Sequence, residues 1–243
     1  MWTPTPAQLL QVWERGGEQS ATACGLLLLA TCCEDRAVDS LAALPLGRRD
    51  ALLLALRARL FGDEVDSVAV CPQCTATVEA SFRCGDLLMT QDAVSHDGAI
   101  FEHLATSGVL VRFRLPDSND LLALESCADA QAARQMLLGR CVVDLPGAGD
   151  LAALPALQAE IAQAMAGADP QADLQLAFTC PGCAFGWQPM FDIARFLWQE
   201  LHAWALRMLR DVDTLARSYH WTEEEILALS PRRRQAYLEL CAP

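Results

Sequence analysis

The 243-residue chain carries 31 Asp and Glu against 18 Lys and Arg, a formal net charge of −13, and 53% of it is hydrophobic. That length and apolar fraction supply a buried core for one large domain or two modest ones and exclude disorder as the default. Excess carboxylate argues against capture of a phosphate backbone, which requires clustered Lys and Arg, so no nucleic-acid partner is expected.

Along the chain, Pro6 to Trp13 predicts a short first helix and Thr22 to Thr31 an apolar second one. The surrounding run "ATACGLLLLATCC", Ala21 to Cys33, is too short to span a bilayer and too far from a basic N-terminus to be a signal peptide. No membrane contact and a cytoplasmic, soluble protein are expected. "PLGRRDALLLALRARLF" predicts a third helix, with Leu52, Leu53, Leu56 and Leu60 at helical spacing. The period then changes. "DSVAVCPQCTATVEASF" alternates Val68 and Val70, then Val78, Ala80 and Phe82, as a hairpin does, and "AIFEHLATSGVLVRFRLPDSNDL" repeats the rhythm at Val109, Val111, Phe113 and Leu115.

Helices are predicted over Asp120 to Leu138 and Asp150 to Met165, the latter with Leu151, Leu154, Leu157, Ile161 and Met165 on one face and closed by "AGADPQAD". A strand, "DLQLAFTC", precedes the longest helix, which Asp192 can cap and whose stripe is Ile193, Leu197, Leu201, Trp204, Met208, Val212 and Leu215. Thr222 with Glu225 is a capping-box pattern, and Ser230-Pro231 starts a last short helix.

Of eleven cysteines, Cys24, Cys32, Cys33, Cys127, Cys141 and Cys241 stand in helical or apolar patterns and read as small core hydrophobes in a reducing compartment. Four others form two Cys-Pro-X-Cys steps, "AVCPQCTATV" (Cys71, Cys74) and "FTCPGCAFGW" (Cys180, Cys183), more than a hundred residues apart. The segments form a weak repeat: Glu79 and Gln188 share an offset from the first Cys, as do Phe82 and Phe191. One Cys-X-X-Cys turn delivers two thiolates and zinc requires four tetrahedral ligands, so two facing knuckles complete one site from Cys71, Cys74, Cys180 and Cys183. A redox dithiol would sit where a strand leads into a helix, whereas both steps lie inside strand patterns. Thr75 and Ala184 stand where rubredoxin-type knuckles commonly carry glycine. Zinc is the expected metal and iron the second choice, because four thiolates accept either.

A closed four-thiolate site has no open position for substrate, and His96, His103, His202 and His220 are scattered singly. Glu223, Glu224 and Glu225 read as favourable charges in a helix's first turn. No enzymatic activity is expected. The fold class is α+β, mainly helical, with two β-hairpin zinc knuckles joined in one zinc-ribbon-like site and a long C-terminal helix. It is expected as a single composite domain over 1–243: a helical segment 1–64, a knuckle and β region 65–191 with a helical insertion, and C-terminal helices 192–243.

Two stretches carry a family resemblance. In "FDIARFLWQELHAWALRMLRDVDTLARSYHWTEEEILALSPRRRQAYLEL" the knuckle at Cys180 and Cys183 precedes Asp192, Ile193, Phe196, Leu197 and Trp198, and the chain continues through Tyr219, Trp221, Glu223, Glu225, Ile226, Leu227, Arg233, Arg234, Tyr237 and Leu238. This resembles the C-terminal signature of the phage T4-type baseplate family, found with contractile phage tails and phage-tail-like injection systems. "LPLGRRDALLLALRARLFG" is similar to that group's N-terminal motif and "VRFRLPDSNDL" to its central strand. The resemblance implies a non-catalytic hub or wedge component partnered by other baseplate or hub proteins, the alternative being a free cytosolic assembly chaperone; a rubredoxin-like redox protein is a third reading. Arg232, Arg233 and Arg234, like Arg48 and Arg49, open helices where the dipole disfavours positive charge, so either carboxylates of this chain or of an acidic partner hold them or they form a solvated charge run. Six tryptophans suit both core packing and an aromatic interface.

Overall fold

The computed structural model describes residues 2–33, 36–89, 98–146 and 151–241. In chain order they form α1 (Pro6–Gly16), α2 (Ala21–Cys32), α3 (Val38–Ala42), α4 (Leu46–Phe61), β1 (Glu64–Val70), β2 (Thr77–Arg83), β3 (Ile100–Leu104), β4 (Leu110–Arg114), α5 (Ser118–Leu124), α6 (Ala130–Cys141), β5 (Val142–Asp144), α7 (Pro155–Ala168), β6 (Phe178–Thr179), β7 (Gly186–Trp187), α8 (Ile193–Tyr219), α9 (Glu223–Leu227) and α10 (Pro231–Cys241). The chain is mainly helical with small β-hairpins and a long C-terminal helix, as its periodicities predict. The described residues fall into two compact units, one of α1, α2 and α8 to α10 and the other running from α3 to β7.

In the first unit, Thr5 and Gln8 close a capping box around α1, and the Ser20 side chain caps α2. α2 is apolar nearly all round and buries Cys24, Leu28, Leu29 and Cys32. α8 buries Leu197, Leu201, Ala205, Met208 and Leu215 along one stripe, and Leu10 and Leu227 join Ala205 and Met208 in a common cluster. Gly16 leaves room for the Trp198 ring: a Cβ there would stand 2.2 Å from it and displace the indole. The Trp13 indole Nε1 donates to His202 Nδ1 at 2.9 Å, which gives that histidine a packing role. The Thr222–Glu225 capping box forms as predicted, and Ser230 Oγ accepts from the Arg233 amide at the start of α10. Tyr219 stacks on Trp221 with centroids 4.7 Å apart, and Tyr237 meets both edge-on at 5.5 and 4.8 Å.

The second unit is organised by the start of α4. Pro45 and Asp117 form a β-bridge, and the Leu46 amide donates to the Pro116 carbonyl at 3.0 Å, so "LPLGRRD" and "RLPDSND" meet. Asp169 Oδ2 accepts from the Gly47 amide at 2.9 Å and supplies the anion this helix start lacks locally. A Cβ on Gly47 would fall 1.9 Å from Asp169 Oδ1. The puzzle of cations at this helix start is resolved inside the chain for Arg49, which is buried against Asp50 at 2.7 Å. Burial, with Arg49 pulling the other way and Asp192 and Asp169 adding repulsion, pushes the Asp50 carboxyl up to about 6. Farther along α4, the buried Arg57 donates to the carbonyls of Gly62 and Glu64 and fastens the helix to β1.

β3, β4 and β5 form an antiparallel sheet covered by α6 and α7, with Val111, Phe113, Leu115, Leu138, Leu157 and Ile161 in its core. Beside it lies Asp120, whose carboxylate is fully buried. Arg114 grips it with two bonds of 2.6 and 2.8 Å, Arg140 adds one of 2.7 Å, and the Asp117 amide donates at 3.0 Å. Burial alone would raise its pKa; these donors outweigh burial and hold it well below the ordinary carboxylate range.

Several expectations need correction. The helix predicted over Asp120 to Leu138 is two, α5 and α6, because Asp117 and Asp129 each cap a separate start. α7 begins at Pro155, after a short 3-10 turn at Leu151–Ala153, and Asp150 lies outside the described residues. The two-residue rhythm of β1 is present as expected, with Val68 and Val70 on the outer face, 65% and 60% exposed, and Val65 buried on the other. Of the cysteines expected in the core, Cys33, Cys127 and Cys241 are only half-buried. α3 and β5 have no clear periodic signal, and His96 lies outside the described residues.

Asp120→Ala is expected to destabilise the chain by about 3 kcal/mol, the low end for breaking a buried ion pair, because the two freed arginines are partly exposed and can rehydrate. With its folded pKa depressed, Asp120 contributes stability above about pH 4 that is lost as pH falls below it. Asp50, with a raised pKa, costs stability as pH rises from about 4 to about 6. Urea titrations from about pH 6 down to about pH 2 should show a weaker acid dependence below pH 4 in Asp120→Ala than in the parent.

Candidate metal centre

The site is built by two hairpins of one design. β1 and β2 pair antiparallel from Glu64↔Arg83 to Val70↔Thr77, and β6 and β7 pair Phe178↔Trp187 and Thr179↔Gly186. In the first turn the Cys71 amide donates to Ala76 O and the Thr75 amide to Cys71 O, both at 2.9 Å; in the second, Cys180 to Phe185 O and Ala184 to Cys180 O, also at 2.9 Å. Thr75 and Ala184 occupy matching places with φ of 60° and 59°. This left-handed region is the one glycine enters freely, so the departure from glycine seen in the sequence marks strain at both turns.

The second hairpin is longer than its two-residue strands suggest. The Leu176 amide donates to Pro189 O, the Phe191 amide to Leu174 O, and Gln175 bridges Met190. Pro189 has no N–H to return, which interrupts the ladder and explains why the strand predicted over 173–180 shrinks to Phe178–Thr179. The sequence repeat has a spatial counterpart: Phe82 and Phe191 meet edge to face at 5.4 Å. Val78, Phe178 and the buried Cys71 and Cys180 share one apolar cluster, with Ala69 and Trp187 packed against it.

The four cysteine Sγ atoms lie within 4.8 Å of one another. Cys71 approaches Cys183 at 3.7 Å and Cys74 approaches Cys180 at 3.5 Å, across 112 and 106 residues of sequence. A tetrahedron with metal–sulfur distances of about 2.3 Å has an edge of about 3.8 Å, so the arrangement is compatible with a metal site. Each knuckle contributes one buried sulfur, Cys71 or Cys180, and one exposed sulfur, Cys74 or Cys183. Burial raises Cys180, but the Cys183 and Gly182 amides and the Cys74 and Cys183 thiols bring it down to about 7. At Cys183 a hydrogen bond from the Phe185 backbone is outweighed by burial and the other sulfurs, which push it up to about 12; Cys74 is likewise raised, its Ala76 backbone bond outweighed by Cys180 and Cys71. Cys180 ionises more readily than a free thiol while Cys74 and Cys183 resist, as expected of thiols that a cation would have to neutralise together.

The described histidines lie elsewhere: His103 is 3.7 Å from Glu160, His202 is under Trp13, and His220 follows α8 with φ 57°. Glu225 belongs to the α9 cap, where the Thr222 amide lowers its pKa. The supports that sequence reading missed are Arg57, Gly47 and Asp169. Only Arg57 leaves a signal, as a charged residue in the leucine-rich face of α4.

Residues 8–145 match the family described as T4 bacteriophage base plate protein. The chain belongs to this family. The match takes in both the "LPLGRRD" helix start and the "RLPDSND" turn that it meets, together with the first knuckle. No curated protein and no solved structure matches. As a T4-type baseplate protein, the chain is a structural component of a phage-tail baseplate, and membership points to a non-enzymatic role among other baseplate proteins. Among the described residues, no helix is long and apolar enough to cross a membrane.

Thr75→Gly and Ala184→Gly are each expected to stabilise the fold by up to about 1 kcal/mol, since relief of a left-handed residue costing about 1–2 kcal/mol exceeds the added backbone freedom of glycine, about 0.4–1 kcal/mol. The gain should be larger at the β-branched Thr75. Denaturant midpoints measure it, and a loss at both positions would contradict the strain assigned to the turns.

Proposed function

We propose that this chain is a non-catalytic structural or assembly component of the baseplate hub of a contractile, phage-tail-like injection machine, and that one zinc ion held by Cys71, Cys74, Cys180 and Cys183 fastens its fold. The baseplate reading is carried by the family match over residues 8–145. The zinc reading is supported by four thiols converging from two matching hairpins. When bound, zinc would supply a closed tetrahedral junction with no vacant position, which suits a structural part and leaves no Lewis-acid chemistry. The four cysteines would each give a thiolate, and the amides around Cys180 would share its charge.

Elemental analysis of the purified chain should find one zinc per chain and a colourless protein; a red protein with one iron would change the metal. Cys74→Ser should lose the metal and lower the denaturation midpoint, because binding energy at a structural site is folding energy. A parent protein without stoichiometric metal would refute the zinc reading. Purified sheath-bearing particles should contain the chain. Its absence from finished particles that cannot form without it would make it an assembly factor, and particles that form normally in its absence would overturn the baseplate reading.

A further inference from the structure

On the helical unit, α8 and α10 enclose a cavity of about 350 Å³ lined by Arg207, Arg210 and Arg234 with Trp204, Met208 and Gln235. Three guanidinium groups at one place are unexpected in a chain of net charge −13. The single carboxylate in the lining, Asp211, accepts from Arg234 Nε at 3.3 Å. Arg234 is only 8% exposed, and its Nη1 is buried with no hydrogen-bond partner among the described residues. Arg207 and Arg210 are exposed, and among the described residues neither forms an ion pair. A buried guanidinium edge without an acceptor is costly, and the excess positive charge beside it calls for an anion.

We propose that this cavity is a docking pocket for an acidic side chain of a neighbouring baseplate subunit, a reading that rests on the baseplate role proposed above. The carboxylate of an incoming Asp or Glu is held between the exposed Arg207 and Arg210, in the charge-assisted geometry that guanidinium favours, and a turn of the Arg234 side chain toward the cavity brings its unpartnered Nη1 to the same anion. The half-buried Trp204 and the buried Met208 offer the adjoining apolar surface that a peptide chain, unlike a free ion, can cover. Asp211 disfavours a doubly charged phosphate more than a singly charged carboxylate. A second copy of this acidic chain is a poorer occupant than a dedicated partner segment, because long-range repulsion opposes its approach. Of the three arginines at the start of α10, Arg234 is thus an internal element tied to Asp211 and the pocket, while Arg232 and Arg233 are exposed.

The test uses the full chain and a fluorescein-labelled hexapeptide of alternating acidic residues and leucine at low ionic strength, read by anisotropy. Binding is expected to weaken at least tenfold when the peptide's acids are replaced by Gln and Asn, and at least tenfold in Arg207→Glu/Arg210→Glu. That variant should keep parental helicity and metal content because both side chains are exposed; Arg207→Gln/Arg210→Gln provides a milder version. Equal binding by parent and both variants overturns the site, as does inorganic phosphate displacing the peptide at equal concentration. Concentration-dependent dimerisation that is lost in the variants, without peptide binding, would assign the pocket to a second copy and overturn the proposal. Particles that incorporate Arg207→Glu/Arg210→Glu at the parental level would overturn docking and leave the baseplate reading standing, whereas failure of the baseplate reading itself shows only in particles lacking the parent chain.

Discussion

Two hairpins of the second unit, far apart in sequence, are tied to each other by a meeting of sulfurs. Four thiols separated by more than a hundred residues of sequence come within 4.8 Å only if both hairpins are in register and their turns point the same way. The remaining contacts follow from that constraint: the Phe82–Phe191 edge contact, the cluster of Val78, Phe178 and Trp187, and the paired left-handed residues that let each turn present its second cysteine. A slip of one residue in either strand would turn Cys71 or Cys180 to the other face and destroy the set.

A second point of order lies at the start of α4, where three distant segments converge. Asp169 reaches the Gly47 amide, Pro45 bridges Asp117, and Gln171 accepts from the Met89 amide while donating to Leu87 O. Helix capping is usually local, with the anion in the residue just before the first turn. Here Pro45 occupies that position and cannot serve, so the cap comes from 122 residues away and fixes the tertiary fold at the same time. Because Gly47 admits no side chain, this junction is sterically exact and chemically single-purpose.

Much of this was legible in the sequence. The long apolar stripe of α8, the Thr222–Glu225 box and the two Cys-Pro-X-Cys steps each rest on local spacing, and local spacing survives folding. The shared offset of Phe82 and Phe191 was legible as a repeat, though their contact was not. Illegible features were those set by tertiary partners. Asp169 reads as one more turn residue until Gly47 is beside it. Asp120 reads as the first residue of a helix until Arg114 and Arg140 enclose it. The buried face of β1 has the same origin: valines at alternate positions give a period but not which side of the ribbon meets the core, and here it is the side of Val65 and Cys71.

The separation of the two knuckles also bears on how the chain is made. At about 5–20 residues per second of synthesis, a gap of 106 residues keeps the first pair of thiols waiting roughly 5–20 s before the second pair exists. In that interval the segment from β3 to α7 emerges complete, with its own core and its Arg114–Asp120 clasp, and can fold before the sulfurs meet. Nascent chains are therefore exposed to oxidation or mispairing at Cys71 and Cys74 for seconds, a hazard that a reducing compartment removes and that an interruption of translation inside the insertion would prolong.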